Sequence, residues 1–166
     1  MRDVINKGIS EEDILNGAGE AFKGGWNKVK LYFMMGLPTE TDEDRKDIAR
    51  LSEKIAMHYY QMDKEYRHGR ITVGASCSFF VPKPFTPFQW AAQDSPEEFR
   101  RKHTYLMQRI KPIKGVTLHY HESFVSSLEA ILARGDRRLC SVIKRAWELG
   151  AGFDPQYTGK ENIYLS

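Results

Sequence analysis

Cysteine is scarce in this chain. The 166 residues contain two, Cys77 and Cys140, far apart and without a C-x-x-C pattern. This argues against a disulfide framework and against an autonomous zinc or iron–sulfur site. Long apolar runs are also missing: none reaches the length of a bilayer-spanning helix. The start does not read as a secretory leader, so a reducing cytoplasm is the expected setting. Repeats, low-complexity tracts and long linkers are absent, which removes solenoids and tethers. Charge of one sign is not in large excess. A net +3 permits contact with anions without demanding nucleic acid. What is present, 41% hydrophobic and 28% charged residues, suits one packed domain.

The most informative stretch runs from Val29 to Thr41. Val29 to Met35 reads as a strand, Gly36-Leu37-Pro38 as a tight turn, and Thr41-Asp42-Glu43-Asp44 as a capped helix start. A strand that ends in a glycine turn and feeds a helix is a ligand-binding corner in α/β proteins. Val29, Leu31, Phe33 and Met35 share one face, Tyr32 and Met34 the other. Apolar residues on both faces predict a buried parallel strand.

Before this strand, Ser10-Glu11-Glu12-Asp13 opens a helix with the stripe Ile14, Ala18 and Phe22. After it, Ile48, Leu51, Ile55, Tyr59, Met62 and Tyr66 keep helical spacing, with Arg45, Lys46, Lys54 and Lys64 off the stripe. The pattern predicts one helix from Asp42 to His68, about 40 Å long, with Gly69 as its cap. A strand follows from Ile71 to Val81, one face of it small and polar: Thr72, Gly74, Ser76 and Ser78 with Phe80. Small strand residues let a ligand or backbone come close. Pro82 to Trp90 holds three prolines and reads as a stiff, extended aromatic loop. Its aromatics Phe85, Phe88 and Trp90 favour a contact surface.

Ser95-Pro96-Glu97-Glu98 starts a helix with the stripe Phe99, His103, Leu106 and Ile110. Val116 to Tyr120 is a third strand. A helix from Ser123 would turn Phe124, Leu128, Ile131 and Leu132 inward. Asp136 can cap a last helix carrying Leu139, Val142, Ile143, Ala146 and Leu149, and beyond it the tail shows little pattern except Phe153 and Tyr157. Alternating strands and helices predict a parallel sheet. Three strands cannot close a (β/α) barrel, which needs about eight, and they leave two unpaired edges. The expectation is an α/β partial-barrel fragment: residues 1–111 as the barrel part, 112–166 as a packed strand and helical extension. Such a piece pairs with the remainder of a longer chain or with itself through its edges.

Several blocks then point to a family. Arg2-Asp3-Val4-Ile5-Asn6-Lys7 with Glu11 to Ile14, and Tyr32 to Thr41, resemble the second half of a radical S-adenosylmethionine (SAM) domain. Phe80 to Trp90 and Leu128 to Leu139 resemble an uncharacterised subgroup of that superfamily, in which a cobalamin-binding-like domain precedes the radical SAM domain. The resemblance implies SAM and a [4Fe–4S] cluster as cofactors, with cobalamin as a further candidate. The cluster's C-x₃-C-x₂-C ligands are not in this chain, so the chain alone is expected to be inactive, and no metal ligand is assigned within it. By the same resemblance Met34 and Gly36 line the adenine of SAM, Glu40 belongs to the same motif, and Phe80 and Val81 approach the adenine from the next strand. Tyr32 stands where the family's loose pattern starts with glycine.

Other groups stay open. Arg134, Arg137 and Arg138 read equally as a solvated corner or an anion or substrate site. No aromatics interleave with them, which argues against nucleic acid. His119 and His121 share a strand face but lack a third ligand nearby, and His58, His68 and His103 read as ordinary helix residues. Both cysteines read as buried thiols. The alternative to an enzyme fragment is a non-catalytic α/β module that binds a protein or RNA through its basic corner and proline-aromatic loop.

Overall fold

A computed structural model describes residues 8–120 and 122–151. Residues 2–7 of the resemblance, His121, Phe153 and Tyr157 lie outside the described residues. The helix starts are set locally. Ser10 caps α1 (Glu11–Lys23), and Thr41 caps α2 (Asp42–Gln61). In each, the hydroxyl accepts from a backbone N–H three residues on, and the aspartate there reaches back, which satisfies two otherwise unpaired donors. Ser95 and Pro96 start α3 (Pro96–Ile110) in the same region of the helix dipole as Glu97 and Glu98.

The strands are β1 (Lys28–Met35), β2 (Thr72–Phe79) and β3 (Val116–Tyr120), all parallel in the order β1-β2-β3. Two rows matter below: Lys30–Gly74–Thr117 and Tyr32–Ser76–His119. Two further helices, α4 (Ser123–Arg134) and α5 (Leu139–Glu148), follow β3. The chain is an α/β protein with one open three-stranded sheet and, among the described residues, five α-helices. No helix among them is long and apolar enough to cross a membrane.

One sheet face is packed. Met35, Val73, Ala75, Cys77 and Phe79 lie under α2 and α3 with Ile55, Phe99 and Leu106. Phe79 stacks on Phe99 with ring centres 4.1 Å apart. Phe22 of α1 meets Tyr59 of α2 edge-on at 5.1 Å, a favoured aromatic geometry.

The opposite face has no such cover, and this corrects the reading of β1 as buried on both sides. Tyr32 is 76% exposed and Met34 42%. In this sheet the packed helices lie on one side, so the second apolar set meets solvent.

α2 ends at Gln61, not His68. Met62 is extended (ψ 159°), and a short 3₁₀ turn, Lys64–Tyr66, follows. The chain must return to start β2 beside Lys28, and Tyr59 Oη ties it down by donating to the Gly69 carbonyl at 3.0 Å. Lys64 and His68 are therefore not on that helix, and Gly69 is not its cap. The loop after β2 is folded rather than extended. Thr86 and Gln89 make turn bonds to Lys83 and Thr86, and Phe85 takes φ 61° at the surface. Phe88 instead packs on Phe80 at 5.9 Å.

α4 buries Ser126 and Ala130, not its large apolar residues. Small side chains allow close approach to the neighbouring helix, and Phe124, Leu128, Ile131 and Leu132 face outward. α5 buries no side chain, so Cys140 is exposed while Cys77 is buried. Asp136 does not cap α5 directly. It accepts from the Arg138 backbone N–H at 2.9 Å, one turn before the helix.

Candidate functional site: the corner after the first strand

Gly36 takes φ 84°, a conformation favoured by glycine. A Cβ there would also sit 2.8 Å from Asp94 Oδ2 and 3.3 Å from the Phe99 ring. The Gly36 N–H donates to Glu40 Oε2 at 2.5 Å. Glu40 is thus folded back into the turn, and its side chain is 3% exposed. It also accepts from Arg45, which is buried to the same degree and pairs with Asp42 as well. Lys102 of α3, also buried, lies 3.5 Å from Glu40 and donates to Asp94 at 2.6 Å.

The corner is therefore closed by five charged groups, with the two cations inside. Arg45, expected off the buried stripe, is its centre. Burial opposes charge on Arg45, but its hydrogen bonds to Asp42 and Glu40 and their charges outweigh this and raise its pKa. A charge buried without such partners would be strongly unfavourable. Asp94 and Lys102 carried no signal in the sequence. They stand more than fifty positions from Glu40 and meet it only because the start of α3 and the loop before it lie against the Gly36 turn.

This arrangement separates the residues assigned to the SAM wall. Gly36 has its N–H engaged, and both Glu40 oxygens are in use. They form the frame of the corner. Phe80 is buried beneath Phe88. Met34 stands on the open face with Ser78 beside it in register, and Val81, just past the end of β2, is half-buried.

The arginines give a different picture. Arg134, Arg137 and Arg138 are exposed, and Arg138 pairs with Asp136 at 2.9 Å. That neutralises one of the three. His103 stacks on Tyr120 with ring centres 3.7 Å apart. Burial holds its pKa below the ordinary histidine value, against the opposing charge of Glu122. Among the described residues no three His, Cys, Asp or Glu side chains come together in a way that could hold a metal ion.

No protein-family model matches the chain, and no solved structure matches it. The chain is similar to the uncharacterized protein MJ0966 of Methanocaldococcus jannaschii, with 38% identity over 140 residues. The matched region covers 84% of this chain and 28% of that protein. The chain thus spans less than a third of the length of the relative it matches.

Proposed function

We propose that this chain is part of the SAM-binding wall of a larger, cytoplasmic radical SAM enzyme. The observation that carries the reading is the one-sided sheet. Helices cover one face, and the other presents an exposed Met34 beside a half-buried Ser78 at the C-terminal end, where α/β folds bind ligands. A longer chain would complete this face into a lumen, and the similarity to a segment of a longer protein supports that geometry.

With its cluster bound elsewhere in the protein, SAM would supply a 5′-deoxyadenosyl radical that abstracts hydrogen from a substrate. This chain's part is positioning. Met34 and Val81 offer apolar contact to the adenine, and the Gly36–Glu40 lock fixes where β1 ends.

The test is SAM titration of the full-length protein by calorimetry. Saturable binding is expected, weakened at least tenfold by Met34→Asp. A wild-type protein that does not bind SAM, or a full-length sequence without C-x₃-C-x₂-C upstream, sinks the reading. A second reading has its own observation: the outward Phe124, Ile131, Val142 and Trp147 of α4 and α5 form apolar helix faces suited to a protein partner.

A further inference from the structure

The bare face has a consistent chemistry of its own. The three strands contain no aspartate and no glutamate. Lys30 has no carboxylate partner among the described residues, and its ammonium lies 4.9 Å from the centre of the Tyr32 ring. Across the sheet, His119 leans in from β3. The two side chains flank Gly74: a Cβ built there would be 3.6 Å from the His119 ring and 3.8 Å from Lys30 Cγ. Thr117 Oγ1 is 3.3 Å from His119 Nε2, and Ser76 separates Tyr32 from His119 in the next row. The result is a glycine floor between a lysine and a histidine, with hydroxyls around it.

A single surface lysine means little. The argument here is one of counter-charge, and it rests on the reading of this face as the wall of a lumen. An ammonium enclosed away from bulk water needs an anion beside it. These strands provide none, and the convergence of Lys30 and His119 on the Gly74 floor favours an occupant that brings it. The donor set also selects among anions. A planar carboxylate is best matched by the fork of arginine, and these strands contain no arginine. An ammonium and an imidazole donating from different directions, with the Ser76 hydroxyl between them and Thr117, itself bonded to the Val73 carbonyl, holding the imidazole, suit a tetrahedral phosphate.

We propose that Lys30 and His119, with Thr117 and Ser76 around the Gly74 floor, hold the phosphate of a small organic substrate. Lys30 is four residues before Met34, a strand distance of about 13 Å. The substrate would therefore be anchored at one end and present its reacting carbon toward the SAM end of the same face.

The experiment is calorimetric titration of the full-length protein with inorganic phosphate and, separately, with acetate. Phosphate is expected to saturate one site. Lys30→Met should weaken it at least tenfold and His119→Ala at least threefold. Lys111→Met, at the end of α3, should leave it unchanged, and acetate should bind at least tenfold more weakly than phosphate. No saturable phosphate binding, or equal binding by Lys30→Met, overturns the site. Acetate binding as tight as phosphate overturns the choice of anion. SAM titrated into the same samples keeps the two readings apart: SAM binding without phosphate binding removes this inference alone, and phosphate binding without SAM binding removes the SAM wall alone.

Discussion

Glu40→Ala should lower the unfolding free energy by about 3–5 kcal/mol, the usual range for breaking a buried ion pair by removing one partner. The substitution strips Arg45 of one of its two carboxylates and brings Lys102 to rely on Asp94 alone. It also leaves the Gly36 N–H without an acceptor. Most of the loss is the desolvation of charges that remain buried, so a neutral isostere should recover only part of it. Glu40→Gln keeps a carbonyl oxygen for the Gly36 N–H but offers Arg45 no charge. Its loss should fall between wild type and Glu40→Ala. Urea unfolding of the three proteins checks the order. A Glu40→Ala protein within 1 kcal/mol of wild type would mean that the network contributes little to holding the corner.

The second large effect is alkaline. Burial pushes the Cys77 thiol up to about 12, with the charge of Glu40 adding to the shift. In the unfolded chain the thiol ionises near its model-compound value of 9.0. Above that pH the unfolded state has lost a proton that the folded state keeps, so unfolding becomes easier as pH rises. Up to pH 9 the thiol has no effect. From there to about 12 the folded state should lose about 1.4 kcal/mol per pH unit from this group. Lysines and tyrosines titrate in the same range, so the measurement is a difference: stability against pH for wild type and for Cys77→Ala. The variant should be less stable at neutral pH, because a buried side chain is truncated, and should have the shallower alkaline slope. Parallel slopes would show that the thiol ionises normally in the fold.

The sequence makes some of this architecture visible and hides the rest for physical reasons. Caps and strand periodicity are local, so Ser10, Thr41, Ser95 and the span Val116–Tyr120 can be read directly. Apolar periodicity tells which face of an element is apolar, not whether anything lies against it. That is why Tyr32, Phe124 and Ile131 read as inward and stand outward. The end of α2 is hidden because helical spacing continues through Met62 and Tyr66 after the backbone has left the helix. The Glu40 network is hidden because its members come from two helices and two loops. A charged residue off an apolar stripe, such as Arg45, looks solvated until its neighbours are known. Lys30 went unread because the apolar pattern predicted a strand buried on both faces, and the glycine and histidine beside it come from other strands.

The strand order has a consequence for how the isolated chain behaves in water. β1 lies at one rim of the sheet and carries Lys28 and Lys30, both exposed. Two copies meeting rim to rim would bring these ammoniums together, and charged side chains are how natural sheets keep such edges apart. At physiological ionic strength charges act over roughly 8 Å, and at 1 M over about 3 Å. The separated chain is in this sense a colloid held in dispersion by its own lysines. Its sedimentation coefficient should rise as salt is added at fixed protein concentration, the reverse of what an assembly held by ion pairs would do.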